Sequence, residues 1–338
     1  MGVTLKHLID KMTMINISTN RIMSENIILN GKCVYTPKGA AREYAAVGCN
    51  FYRGCPYQCR YCYNRKGLTA AVMGVDHAVL ESMFTNLKVR PKKYSELSAE
   101  DYAFCCFCQE VDKNTDYLRK TGIFFSFSTD PLCSDAFDLT LRAVFYAVHY
   151  QQIPVKILTK NADYTALQML KFEMLNKDDR QLTAVGFTLT GRDDWEPYAS
   201  KNIERVRMMK IFKRMGFRTF ASIEPVVDFK SSKAMIKKSL PFCDQYLIGL
   251  MSKRGKELPP YSSEECSDFV FDVDNMLLSA YSSKKTKRLV HIYWKESIRK
   301  LMKDEAFAMQ IINNSPASVN SEWSVFSLKK KEIRHEEG

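Results

Sequence analysis

Between about residues 43 and 250, short apolar runs alternate with segments of helical period. The runs "GIFFSFSTD" (122–130), "IPVKILTK" (153–160), "LTAVGFTLT" (182–190), "FRTFASIEPVV" (217–227) and "CDQYLIGLM" (243–251) are rich in β-branched and aromatic residues. Each is short and ends near polar residues, the pattern of a buried strand. A first strand is expected at 44–51. Of the helical segments, "DAFDLTLRAVFYAVHYQQ" (135–152) runs up to Pro154. "SKNIERVRMMKIFKRMG" (200–216) opens on a serine that predicts an N-cap and stops at glycine. It spaces Ile203, Val206, Met209, Phe212 and Met215 three apart.

Buried strands alternating with helices predict a parallel sheet with right-handed crossovers. Six such units point to an α/β fold of the partial (β/α)6 TIM-type barrel kind. The expected organisation is an N-terminal segment over 1–42, a core over 43–251 with an insertion at about 90–121, and a C-terminal extension over 252–338. The extension reads as mainly helical, with a weak strand at "LVHIYW" (289–294).

In parallel α/β folds the chemistry gathers at the carboxyl ends of the strands. Polar residues fall there in this chain: a cysteine loop after strand one, "STD" after strand two, "TK" after strand three, "TLTGRDD" after strand four and "EP" after strand five.

Composition narrows the setting. Hydrophobic residues make up 46% and charged residues 26%, which supports a packed core. No apolar run is long enough to cross a bilayer, and the first twenty residues lack the apolar stretch of a signal peptide. The expectation is a cytoplasmic protein without a membrane partner. Its eleven cysteines then read as ligands, reactive thiols or small core residues. The net charge of +12 favours polyanions, nucleic acid among them. Much of it lies in "KVRPKK" (88–93), "SKKTKR" (283–288) and "SLKKKEIR" (327–334), which also fit solvated, lysine-rich turns.

The stretch "GCNFYRGCPYQCRYCYNRKG" (48–67) holds four cysteines within fourteen positions. Zinc sites pair one CxxC with a second, distant pair. Here Cys55, Cys59 and Cys62 stand together as Cx3Cx2C, and the other CxxC spacing, Cys105 and Cys108, lies in a helix-like stretch away from them. A 4Fe–4S cluster takes one thiolate per iron, so three cysteines leave one iron open to a small molecule. Cys49 reads as a spectator at the end of strand one.

"CPYQCRYC" resembles the CxxxCxΦC signature of the radical S-adenosylmethionine superfamily, with Tyr61 at the aromatic position. Its context is similar to the spore photoproduct lyase-related branch. The likeness continues through "STDPL", "ILTKNAD", "GFTLT" and "EPYASKNIERVRMMKIFKRMGFRTFASIEPVV", and covers roughly residues 44 to 250. It implies two cofactors, a 4Fe–4S cluster on Cys55, Cys59 and Cys62 and S-adenosyl-L-methionine on its open iron. It also implies a flavodoxin- or ferredoxin-like electron donor. An electron would cleave S-adenosylmethionine to methionine and a 5′-deoxyadenosyl radical, which takes a hydrogen from the substrate. By position, the resemblance puts Tyr61 beside the adenine. Ser128, Thr129 and Asp130 fall near the methionine amino group or ribose, and Lys160 on the methionine carboxylate. Thr188 and Arg205 match further polar positions of the cofactor site.

The match has gaps. Photoproduct lyase carries a hydrogen-donating cysteine just before the polar triplet of strand two, where this chain has Phe127. Cys133 lies five residues beyond Ser128. Cys105, Cys106 and Cys108, in "AFCCFCQE" (103–110), read as small buried residues rather than a second metal centre. Three functions stay open: a radical enzyme acting on nucleic acid, one acting on a protein, peptide or small molecule, and a non-catalytic iron–sulfur or zinc-binding regulatory protein. No catalytic residue beyond the cofactor ligands is assigned, and the choice between lyase and transferase stays open.

Overall fold

The computed structural model describes residues 27–65, 70, 75–252, 257–282 and 289–329. The lysine tract at 283–288, residues 330–334 of the last tract and residues 1–26 of the N-terminal segment lie outside the described residues.

Among the described residues ten strands follow one another: β1 (Val34–Tyr35), β2 (Gly48–Cys49), β3 (Tyr52–Arg53), β4 (Val79–Leu80), β5 (Ile123–Phe125), β6 (Val155–Thr159), β7 (Thr183–Thr188), β8 (Arg218–Val226), β9 (Gln245–Leu250) and β10 (His291–Trp294). Eight of them form one sheet in the order β1-β2-β5-β6-β7-β8-β9-β10, while β3 and β4 pair separately. From β2 to β10 every neighbouring pair is parallel; β1 alone runs antiparallel, against β2. The fold is mixed α/β with a mostly parallel sheet.

Two strands depart from expectation. The first parallel strand is only Gly48–Cys49, because Asn50 intervenes: its side chain donates to the Tyr35 hydroxyl (2.8 Å) and accepts the Phe127 amide (2.9 Å). The chain then leaves as β3 to pair with β4. At the other end, β10 is a full member of the sheet, parallel to β9 in the register His291↔Gln245. The C-terminal residues therefore lengthen the sheet instead of standing apart from it.

Alternation along the strands builds two cores. Ile123 and Phe125, Val155 and Ile157, Val185 and Phe187, Ala221 and Ile223, and Tyr246 and Ile248 join one large cluster with the helices. The intervening Phe124, Ala184, Phe220 and Leu247 form a second cluster with Val325, flanked by Tyr44, Phe127, Leu158 and Trp323. The C-terminal segment thus covers the face of the sheet opposite the helices.

The helix predicted at 200–216 spans Asn202–Arg214, but its start is not the serine. Lys201 is the N-cap, and its amide donates to Glu204 Oε2 (2.9 Å). Ser200 instead accepts the Ala162 amide on its hydroxyl (2.8 Å). A spacing of three also drifts around a helix of 3.6 residues per turn. Val206, Met209 and Phe212 stay buried, while Ile203 at the start rotates out to 39% exposure. Phe212 packs edge-on against Phe172 at 4.8 Å and Phe217 at 5.4 Å. Truncation of such a side chain to alanine costs about 3–5 kcal/mol.

Lys156 is the anomaly of the second core. It is fully buried, donates to the Glu322 carbonyl, and lies over the rings of Phe220 (4.7 Å) and Trp323 (5.2 Å). Burial lowers its pKa to about 7. The unfolded chain, at the ordinary lysine value, binds the extra proton more readily, so this group adds stability as pH rises above about 7. Replacing Lys156 by methionine removes the term. The stability of wild type relative to Lys156→Met should climb between pH 6.5 and pH 8.5, by up to about 1.4 kcal/mol per pH unit. Urea unfolding of both proteins across that window checks this; a constant difference would contradict it.

Candidate functional site

The cysteine loop begins where β3 ends. Gly54 takes φ +77°, and a Cβ there would stand 2.4 Å from the His77 carbonyl oxygen, so only glycine fits. Gln58 also enters the left-handed region, at φ 46°, immediately before Cys59. For a non-glycine residue this costs about 1–3 kcal/mol, strain of the kind that collects at functional loops. The loop is tied by Cys55 N to Val75 O (3.1 Å), Cys62 N to Cys59 O (3.0 Å) and Arg65 N to Cys62 O (3.2 Å).

All eleven cysteines are free thiols. Cys59 is buried; Cys55 and Cys62 are half-buried. Burial raises the Cys55 thiol well above its ordinary value and pushes Cys59 up to about 11, against the pull of the Lys160 ammonium. Among the described residues no three His, Cys, Asp or Glu side chains converge at metal-ligand spacing, the loop cysteines included. The three thiols share one loop at the carboxyl edge of the sheet without meeting at a point.

Lys160 follows β6 and faces this loop. Its ammonium lies 5.7 Å from the Tyr61 ring centroid and makes no hydrogen bond among the described residues. Burial works to lower its pKa, but Cys59, Glu196 and Asp130 outweigh that and raise it, so Lys160 is cationic.

The other residues expected at the site are used inside the protein. Asp130 Oδ1 accepts from Thr159 Oγ1 (2.7 Å) and the Leu132 amide (3.0 Å), and Oδ2 accepts the Lys160 amide (2.7 Å). It braces the ends of β5 and β6. Ser128 is fully buried and donates to the Tyr52 carbonyl. Thr188 is buried, and its carbonyl accepts Arg205 Nη1 (2.8 Å). Arg205 also donates Nε to the Ser200 carbonyl (2.8 Å) and pairs with Glu196 at 2.8 Å. Two polar atoms here are buried without a partner, Thr129 Oγ1 and Arg205 Nη2.

Two groups escape the sequence reading. Glu196 accepts the Tyr61 hydroxyl and is the hub of a buried network; in sequence it is only the first letter of "EP". The second is a cluster at the ends of β8 and β10. Tyr44 shares its hydroxyl with Ser222 Oγ (2.8 Å) and Glu224 Oε2, and Lys295 Nζ donates to the same oxygen at 2.6 Å. The Lys295 ammonium lies 3.5 Å from the centre of the Tyr44 ring. These residues come from positions 44, 222–224 and 295, and no local motif joins them.

Cys49 is buried at the end of β2 and interacts with Cys33. Cys133 is 1% exposed, and Phe127 stacks on Phe124 at 4.6 Å. Cys105, Cys106 and Cys108 are buried on the helix Ala99–Lys113. Within the tract 88–93, Lys88, Lys92 and Lys93 are exposed, but Arg90 is buried and donates to the Phe84 (2.6 Å) and Leu97 (2.7 Å) carbonyls. It is a structural staple and not a solvated charge. Beside the loop a cavity of about 710 Å³ is lined by Tyr57, Asn161, Asp163, Tyr198, Arg207 and Met208 among others. Among the described residues no helix is long and apolar enough to cross a membrane.

No protein-family model matches the chain, and no curated protein does.

Removing the Asp130 carboxylate would leave the Thr159 hydroxyl and two backbone amides without acceptors. Asp130→Ala should therefore cost about 3 kcal/mol, read as a lower urea midpoint at unchanged slope. A loss below about 0.5 kcal/mol would show that Asp130 is not the brace of these strand ends.

Proposed function

We propose that the chain is a radical S-adenosylmethionine enzyme whose cluster is held by Cys55, Cys59 and Cys62. The observation that carries the reading is the pairing of this cysteine loop with a cationic Lys160, whose ammonium has no hydrogen bond among the described residues, across the carboxyl edge of a parallel sheet. The donor set suits a 4Fe–4S cluster: three thiols come from one loop, while the other CxxC pair, Cys105 and Cys108, is buried on the helix Ala99–Lys113. The unpartnered Thr129 Oγ1 and Arg205 Nη2 are further polar atoms near these strand ends that a bound cofactor could engage. We read the parallel sheet as the partial (β/α)6 barrel of such enzymes, with β10 added at its far edge.

When loaded, the cluster supplies one electron, received from a flavodoxin- or ferredoxin-like carrier, to cleave S-adenosylmethionine into methionine and a 5′-deoxyadenosyl radical. The protein does the rest. Lys160 is placed to pair with the carboxylate of the methionine moiety, a charge-assisted contact. The Tyr61 ring offers a flat surface to the adenine. Asp130, through the Lys160 amide, fixes the strand end from which that lysine projects. Thr188 and Arg205 frame the same edge from β7 and the helix after it. The net charge of +12 favours nucleic acid as the substrate class.

Anaerobically reconstituted, dithionite-reduced protein should release 5′-deoxyadenosine from S-adenosylmethionine, and Cys59→Ala should release none. Lys160→Ala should keep its iron and lose about tenfold in release at limiting S-adenosylmethionine, as expected for one lost charge-assisted bond. Wild type carrying full iron and sulfide yet releasing nothing, with DNA, RNA or peptides added, would refute the activity.

A further inference from the structure

Glu196 and Arg205 form an ion pair with neither side chain reaching solvent. Burying two charges costs several kcal/mol per ion, and an apolar pair of similar volume is often as stable. Stability alone is thus a poor reason for the pair. The hydrogen bonds around it give a better one. Glu196 Oε2 stands 2.8 Å from Arg205 Nη1 in the ion pair and accepts from Thr190 Oγ1 (3.1 Å) and Asn202 Nδ2 (3.1 Å). Oε1 is left for the Tyr61 hydroxyl.

Tyr61 stands between Cys59 and Cys62. Its neighbour Arg60 donates its amide to the Trp195 carbonyl at 2.9 Å. Two consecutive residues of the cysteine loop are therefore tethered to two consecutive residues of the turn after β7. That turn is fixed in its own right, since Asp193 Oδ1 accepts both the amide and the side-chain nitrogen of Asn202 at 2.8 Å. Loop, turn and the start of the helix Asn202–Arg214 form one hydrogen-bonded unit.

We propose that Glu196 is a positioning residue that anchors the Cys59–Cys62 turn through the Tyr61 phenol, with Arg205 paired to its carboxylate inside the protein. Two of the three thiols are then held on the barrel edge by the polypeptide itself, and the Cys55 arm closes onto them. The consequence for cluster loading rests on the radical-enzyme reading; the tether does not.

Hydrogen exchange on the reduced, iron-free full chain tests the tether. In wild type the amides of 59–62 should be protected. Tyr61→Phe removes one hydroxyl and leaves the ion pair, and should speed exchange across 59–62 about tenfold while β6–β8 stay as in wild type. On reconstitution this variant should retain less than about half the wild-type iron, with its melting temperature within about 2 °C. A role confined to stability would instead lower the melting temperature and spare iron retention. Glu196→Gln, which keeps an acceptor but leaves Arg205 unmatched, should loosen both the loop and the helix Asn202–Arg214. Wild-type exchange in Tyr61→Phe overturns the proposal, even if the chain binds a cluster. A loosened loop in a chain that takes up no iron upholds the tether and sinks the cluster reading.

Discussion

Strand direction is the constraint on which the rest depends. In the main sheet β2 and β5 to β10 all run the same way, so their connections to the helices leave from one edge. Residues 77 to 180 positions apart meet there. Tyr61 reaches Glu196, Asn50 reaches Phe127, and Tyr44 reaches Glu224 and lies under Lys295. The opposite face cannot serve the same purpose, because Trp323, Val325 and Phe326 of the C-terminal segment cover it.

The polar residues at that edge do two kinds of work. Most are braces: Asp130, Ser128 and Arg205 satisfy backbone groups that the ends of short strands leave open, the Thr188 carbonyl among them, which a buried edge requires. A few are not used up. The Lys160 ammonium, Thr129 Oγ1 and Arg205 Nη2 have no hydrogen-bond partner among the described residues, and the loop thiols are free. In a low-dielectric setting an unpaired polar group is costly.

The parallel strands were legible because β5 to β9 are short apolar runs with turn chemistry at both ends. The first was read too long, because nothing local reveals that Asn50 spends its side chain on Tyr35 and Phe127. The extension was underrated for a similar reason. The strand at 289–294 shows in the sequence, but nothing local reveals that His291–Trp294 pairs with β9 and joins the main sheet. The cysteine loop was legible because ligand spacing is local. Glu196, Tyr44 and Lys295 were not, since their partners lie 135, 180 and 71 positions away. Ser200 looked like a cap, but the helix starts one residue later and the serine serves the Ala162 amide.

Iron and acid-labile sulfide per chain after anaerobic reconstitution test the central claim most directly. The account predicts about four of each, lost when Cys55, Cys59 or Cys62 is replaced by alanine and retained when Cys49 or Cys133 is. A single metal ion without sulfide, or binding that survives loss of the loop cysteines, would contradict it.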